Sequence, residues 1–463
     1  MFSKSLYKCI ICIFTAQQSV QQSRSTLIKE YIDFWLDNIH CYSLNDEDDL
    51  PNPPVILIGT GMDKIKNEEE RCQKTKSLNS FLDGHRKRRH IRDLCFLSNE
   101  EPSKYKTEFE YLRKVIFKLA GDIPKWGDNL PTRWIVLEKE IDRLIDDGKR
   151  VIPHKEAELL AKICSFPISE MESELNSFLK YEHETGNLIY FDDIKSYIVL
   201  KPEWLVDIFK CFVSPFEFQR YFVGLPDWSQ LESTGVLPDT LIKKLFKKVP
   251  GFDSAKHTQF ALEIMEKFDI IVKPKEGNDE YYMPCMINAS GFEIITKTFN
   301  VPSKNCSRTA WFCLDFNFLP PSFFNHLLVT FVKKYVLCTD KNDRLQLYRG
   351  MGIFNFEESG CQKLIVCLSE NSIAVQVWNF HNEEQQICNT NYGNIREYIL
   401  STVQLLQRRY KIRIQYECFL KCPEGIYFKR LEKYLVINHM ANITALITGL
   451  PTRWKNYVRD GLR

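Results

Sequence analysis

Val55-Ile-Leu-Ile-Gly-Thr-Gly-Met-Asp63 opens as an unbroken apolar run and closes in a polar turn that carries one carboxylate. Consecutive apolar residues bounded by turn formers read as a strand buried on both faces, the mark of a parallel sheet covered by helices. At the carboxyl end of such a strand, the turn opens into the crevice where αβ sheets take ligands. A carboxylate there can accept two N–H donors from a guanine edge, a geometric reason for Asp63 to select guanine over adenine. The plainer reading is a turn aspartate that satisfies local backbone N–H groups.

Working outward, the flanking segments alternate. Lys8 to Ala16 is a short continuous apolar run, hence a second buried strand. Leu27, Ile28, Tyr31, Ile32, Trp35, Leu36 and Ile39 fall at helical spacing and form one wide apolar stripe. That helix stops in the acidic loop Asn45 to Asp49 and in Pro51-Asn-Pro-Pro54, where proline removes donors and helical geometry. Beyond Asp63 come a polar helical stretch, a third strand at Leu94-Cys-Phe-Leu97, and an amphipathic helix from Lys106 to Ala120. The third strand ends in Ser98-Asn99, a turn suited to present backbone N–H to a base oxygen. Strand and helix in alternation predict parallel βαβ units.

The character changes after Pro131. Trp134 to Asp147, Lys155 to Cys164 and Glu172 to Glu184 are helical patterns, and Gly186 ends the last as a helix C-terminus should. Asn187 to Phe191 and Tyr197 to Leu200 then read as a hairpin, which gives a winged-helix outline. A similar ending follows helix His257 to Phe268, where Ile270 to Val272 faces Tyr281 to Met283, so this region is expected to hold two such units. From Thr309 the pattern is strand Ala310 to Phe316, a helix after Pro320-Pro321, strands at Leu345 to Tyr348, Lys363 to Leu368 and Ser372 to Phe380, helix Ile395 to Tyr410, and strand Arg413 to Phe419. That order predicts an α+β layer.

Composition narrows the function. With 463 residues, 44% apolar and 13% aromatic, the chain needs several packed cores. Lys plus Arg number 62 against 60 Asp plus Glu, so no global field gathers a polyanion, and nucleic acid is not an expected partner. Sixteen cysteines lie mostly singly in apolar runs, which favours buried reduced thiols and a cytoplasmic location. No stretch approaches the ~18 apolar residues of a membrane span.

Thr60-Gly-Met-Asp63 resembles the fourth guanine-nucleotide motif in the threonine form used by Roc domains, and Ser98-Asn99 resembles the fifth. The order that follows is similar to the COR domain of Roco proteins. It comprises Ile123-Pro-Lys-Trp126, Pro131-Thr-Arg-Trp134, Tyr181-Glu-His-Glu-Thr-Gly-Asn-Leu-Ile-Tyr-Phe191, Val199-Leu-Lys-Pro-Glu-Trp-Leu205 and Tyr281-Tyr-Met-Pro-Cys285. The resemblance implies a multi-domain α/β plus α+β chain. Residues 1–125 are expected to form the C-terminal part of a Ras-like Roc sheet, 126–305 a winged-helix-like first COR subdomain, and 306–417 an α+β antiparallel-sheet subdomain. Residues 418–463 remain an extension of unassigned structure. It further implies a homodimer through the COR region, with aromatic residues of 309–417 at the contact, and a regulatory or scaffolding role in signalling.

The departures limit the chemistry. A Roc domain holds phosphate with a glycine-rich loop ending in Gly-Lys-Ser or Gly-Lys-Thr, and the only Gly-Lys here is Gly148-Lys149, followed by Arg150. No catalytic residue and no metal ligand are assigned, and Thr60, Asp63, Ser98 and Asn99 are expected to be a base-reading remnant with weak or absent nucleotide affinity. If upstream sequence completes the domain, GTP or GDP with magnesium becomes the expected ligand and an active GTPase the alternative. A winged-helix nucleic-acid-binding protein is a second alternative. Against it, the helix Glu172 to Glu184 carries four glutamates that would repel a phosphate backbone. The basic run His85 to His90 reads as a nucleic-acid patch or, more plainly, a solvated loop. Cys418 and Cys422, with His439, lack the two close pairs of a structural zinc site.

Overall fold

The computed structural model describes residues 10–15, 22–43, 51–65, 67–85, 87–122, 129–213, 225–275, 280–301, 306–341, 344–380, 393–423 and 435–436. Of the expected features, the Ile123 to Trp126 motif, Arg86, His439 and most of 418–463 lie outside them. The chain divides into one unit of residues 1–135 with 410–413, and a second of 136–409 with 414–463.

In the first unit, strands β1 (Ile10–Thr15), β2 (Val55–Thr60) and β3 (Ile91–Phe96) form a parallel sheet in the order β1-β2-β3. Helices α1 (Gln22–Cys41), α2 (Glu68–Asp83) and α3 (Lys106–Gly121) alternate with the strands as the pattern predicts. The alternation of side chains along β2 sorts its residues between two cores. Val55 and Leu57 pack with Ile32, Leu36 and Ile39 of α1 and Leu78 and Leu82 of α2. Ile56 and Ile58 pack with Cys95, Leu97 and Leu112 on the α3 side. Residues 55–58 are at most 5% exposed, and each such side chain contributes roughly 1.5–3 kcal/mol through burial.

The second unit begins within helix α4 (Thr132–Asp146) and contains two blocks built in the same order. In the first block α4 is followed by β4 (Val151–Pro153), α5 (His154–Ile163), α6 (Met171–Thr185) and β5 (Tyr197–Val199). After α7 (Pro202–Val213), the second block runs α8 (Pro226–Thr234), β6 (Val236–Leu237), α9 (Asp239–Phe246), α10 (Ser254–Lys267) and β7 (Tyr281–Tyr282). The hairpin expected at 187–200 is corrected. Tyr197–Val199 finds its ladder partner in Val151–Pro153, and the 187–191 arm contributes one bridge, Ile189 to Val199. Val272 likewise makes one bridge to Tyr282, while β6 is the ladder partner of β7.

The rest of this unit is a nine-stranded antiparallel sheet. Helix α11 (Phe292–Thr298) precedes it, and helices α12 (Pro321–Lys334) and α13 (Gly393–Tyr410) interrupt it. Its strands are β8 (Cys306–Arg308), β9 (Trp311–Phe316), β10 (Val336–Leu337), β11 (Leu347–Tyr348), β12 (Met351–Asn355), β13 (Gln362–Ser369), β14 (Ser372–Phe380), β15 (Tyr416–Lys421) and β16 (Leu435–Val436). The main path is β10-β12-β13-β14-β9-β15-β16, with β11 on β12 and β8 on β14. One face places Trp311, Cys313, Met351, Ile353, Ile365, Cys367 and Trp378 against Ile295 and Val301. On the other, Phe316 meets Phe323 and Phe354 meets Phe331, both rings from α12. The last long strand begins at Tyr416 rather than Arg413 and continues past 417 to pair with β16. The chain is thus a mixed α/β multi-domain protein with helices and an antiparallel sheet. Among the described residues, no helix is long and apolar enough to cross a membrane.

Candidate guanine-base site

The site is built where β2 and β3 end side by side. Gly61 turns the chain out of β2 at φ 76° and ψ 29°, a left-handed conformation that glycine adopts without a Cβ penalty. Its lack of a side chain is therefore a backbone requirement of this turn. Residues Met62–Lys64 then form a single 3-10 turn. Met62 and Ile65 pin it down by packing against Phe96 and Tyr105. The Leu97 N–H donates to Gly59 O at 2.9 Å and the Met62 N–H to Leu97 O at 3.4 Å, which fastens the two turns together.

Within that frame Asp63 and Ser98 meet. The Ser98 hydroxyl, fully buried, donates to the Asp63 carboxylate and accepts from the Glu100 N–H at 3.2 Å. Asp63 is half-buried at the carboxyl end of the sheet. A hydroxyl donor on one carboxylate oxygen orients the group while its remaining lone pairs stay available to N–H donors. Thr60 is the last residue of β2, half-buried and paired in register with Thr15. Asn99 is exposed in the following turn. The sequence-assigned residues therefore fall on two adjacent turns, and two of them are in contact.

Among the described residues, the one Gly-Lys pair is not built as a phosphate loop. Gly148-Lys149 is the C-terminal turn after α4, with Gly148 at φ 90° and its N–H on Ile145 O at 3.0 Å. Lys149 pairs with Glu156 at 2.5 Å, so neither its backbone nor its charge is arranged as an anion cradle. Among the described residues no group of three side chains is placed to hold a metal ion, and Cys418 and Cys422 are free thiols.

In the basic run Arg88 and Arg89 are exposed, as the plainer reading of a solvated segment expects. His85 pairs with Asp33 at 2.6 Å and Lys87 pairs with Asp37, both acids on α1, while Arg88 donates to Ile91 O at 2.8 Å. These charges are engaged within the unit. His90, which closes the basic run in sequence, is fully buried: its Nδ1 lies 3.3 Å from Pro53 O and its Nε2 3.1 Å from His40 Nδ1. Burial drives its pKa down to about 4. A histidine between a proline segment and a strand leaves no spacing signal to find.

The later motifs serve packing. Trp204 of Pro202-Glu-Trp-Leu205 stacks on Phe252 at 5.7 Å and 15°, and Leu205 is fully buried. In the His183-Glu-Thr-Gly segment, His183 lies edge-on to Phe191 at 5.7 Å and its pKa is lowered by burial first. The neighbouring Glu182 is buried, takes a hydrogen bond from Asn187 at 2.7 Å, and has its pKa raised by burial first. Met283 and Met286 join the same core as Trp204.

Residues 131–287 match the family model described as the C-terminal of Roc, COR-A domain. Cyclic GMP-binding protein C of Dictyostelium discoideum is 24% identical over 272 residues, 54% of this chain and 9% of the relative. The malignant fibrous histiocytoma-amplified sequence 1 homolog of Xenopus tropicalis is 27% identical over 214 residues, covering 39% and 21%. The probable serine/threonine-protein kinase roco5 of Dictyostelium discoideum is 25% identical over 247 residues, covering 52% and 8%. Among solved structures, Methanosarcina barkeri Roco2 RocCORdC bound to GDP matches with 14% identity and a TM-score of 0.36, over 60% of this chain and 73% of that one. The chain thus spans between 8% and 21% of the length of these curated relatives.

Proposed function

We propose, from the premise that this chain is a COR-containing protein of the Roco family, that it acts as a regulatory or scaffolding protein. In this reading its COR region self-associates and couples to a GTPase-like fold in cytoplasmic signalling. The observation that carries the reading is the meeting of Asp63 and Ser98 at the ends of adjacent parallel strands, upstream of the COR-A match at 131–287. Residues 1–125 then correspond to the C-terminal part of a Roc domain, 126–305 to a winged-helix-like first COR subdomain, and 306–417 to the second. The two blocks of helix, short strand, helix, helix and wing support the middle assignment.

Thr60, Asp63, Ser98 and Asn99 form the base-reading end. When bound, a guanine would set its N–H edge on Asp63; for phosphates and magnesium, which supply most nucleotide affinity, the sequence carries no Gly-Lys-Ser or Gly-Lys-Thr loop. Guanosine and GTP with magnesium are therefore expected to bind equally and weakly in titration calorimetry. A GTP affinity more than tenfold above that of guanosine would favour the active-GTPase alternative instead.

For self-association, the aromatic residues of 309–417 open to a contact are the partly exposed ones, such as Phe312, Tyr335, Phe356 and Tyr416. Trp311, Phe323, Phe324, Phe331, Phe354 and Trp378 are at most 1% exposed. Along with the partly exposed rings, the exposed Leu405, at 59%, adds aliphatic surface to the proposed contact. The test is the mass of the intact chain at tens of micromolar by light scattering, where a persistent monomer would remove the reading.

A further inference from the structure

The two helical blocks can be superposed by their hydrogen bonds, and one position differs. In the first, α6 ends at Gly186, φ 79°, whose N–H donates to His183 O while the Asn187 N–H reaches back to Glu182 O. Three residues after Gly186, Ile189 makes its bridge to the wing. In the second, α10 ends at Asp269, φ 53°, whose N–H donates to Glu266 O while the Ile270 N–H reaches back to Met265 O. Three residues after Asp269, Val272 makes the equivalent bridge. The fold asks for glycine at this left-handed helix end, and the first block supplies it. The second places there a side chain that a left-handed backbone disfavours, and buries it.

The carboxylate accounts for the choice. Asp269 is 5% exposed, and its Oδ2 lies 3.1 Å from His326 Nδ1 and 3.5 Å from an Arg409 guanidinium nitrogen. Its Oδ1 lies 3.9 Å from Lys333 Nζ. His326 and Lys333 belong to α12 and Arg409 to α13, so three basic side chains from two helices of the sheet region converge on one helix end of the second block. The cluster continues outward. Arg409 also donates to Lys267 O at 2.7 Å, and Lys267 pairs with Asp193, in the wing of the first block, at 2.5 Å. A buried carboxylate is tolerated only when paired, and these three ionic partners all lie across the joint.

We infer that Asp269 is a latch that holds the helical blocks of the second unit to the helices of its β-sheet region. The residue is kept for its charge in a place where the backbone alone would take glycine. The latch uses no residue of the guanine-base site and stands whether or not that reading holds. Neutralising it frees α12 and α13 to move against the second wing, so it is the point at which this unit can be loosened without disturbing either core.

Hydrogen exchange of the intact chain tests this with Asp269→Asn, which removes the charge, and Asp269→Gly, which removes it while relaxing the backbone. Both are expected to speed exchange at least tenfold in 264–272 and in α12, with the amides of β12 to β14 unchanged. If Asp269→Gly exchanges as slowly as the natural protein or more slowly, the aspartate is merely a tolerated helix end and the latch is wrong. Unchanged exchange in Asp269→Asn overturns it equally. Should neither variant fold, Arg409→Gln and Lys333→Gln, changed at half-exposed positions, are read at the same amides. Faster exchange there supports the latch and unchanged exchange refutes it.

Discussion

Ser98→Ala removes one hydroxyl and, with it, two hydrogen bonds: the one to the Asp63 carboxylate and the one accepted from the Glu100 N–H. A hydrogen bond to a charged partner contributes roughly 1.5–3 kcal/mol, and a neutral one about 1 kcal/mol. Asp63 is half-buried and Glu100 exposed, so water recovers part of both. The expected loss is about 1–2 kcal/mol. The assay is hydrogen exchange of the β2 and β3 amides in increasing urea, which reports this unit by itself, on Ser98→Ala, Asp63→Ala and the double variant. If one bond joins the two side chains, the double variant should be about 1 kcal/mol less destabilised than the sum of the singles. Additivity within about 0.3–0.5 kcal/mol would mean that they act independently, and the paired-turn geometry would be refuted.

Three further outcomes are expected. His90, with its pKa at about 4 in the folded unit against 6.5 for an ordinary histidine, is bound neutral. Its contribution is therefore fully present above pH 6.5 and is lost as pH falls toward 4. The loss is up to about 3 kcal/mol, seen as a fall in melting temperature that His90→Gln flattens. Gly352→Ala sets a Cβ 2.7 Å from Leu328 Cδ1 and 2.8 Å from the Phe354 ring. Such overpacking destabilises by about 1–3 kcal/mol, measurable in urea unfolding, whereas Gly121→Ala, with open space around it, should not. Trp378→Ala empties a fully buried site and should remove roughly 3–5 kcal/mol, with a lower urea midpoint for the sheet subdomain as its signature.

The parallel sheet was legible because its strands are continuous apolar runs between amphipathic helices, and Val55 to Ile58 shows that pattern undiluted. The antiparallel sheet was legible in its long strands, Gln362–Ser369 and Ser372–Phe380. Met351–Asn355 was not, because Gly350 and Gly352 read as loop. In fact Gly352 is where α12 approaches the strand too closely for a side chain. Val151–Pro153 was hidden by its proline, which the structure places at the end of a strand only three residues long. The helices Pro202–Val213 and Asp239–Phe246 went unread although Leu241, Ile242, Leu245 and Phe246 stand at helical spacing, because they are shorter than the long periodic runs that mark a helix most clearly. At the candidate site, Asp63 and Ser98 were legible through spacing and strand position, whereas their mutual contact is tertiary. Asp269 carried no motif; its only trace in sequence is an aspartate where its counterpart block has Gly186.

Self-association is the central claim, and sedimentation equilibrium of the intact protein addresses it directly. Over a series from about one to tens of micromolar, the account predicts a reversible rise from a monomer of 54.6 kDa toward twice that mass, as expected for a specific interface between two copies. A single species at 54.6 kDa across the whole series would contradict it.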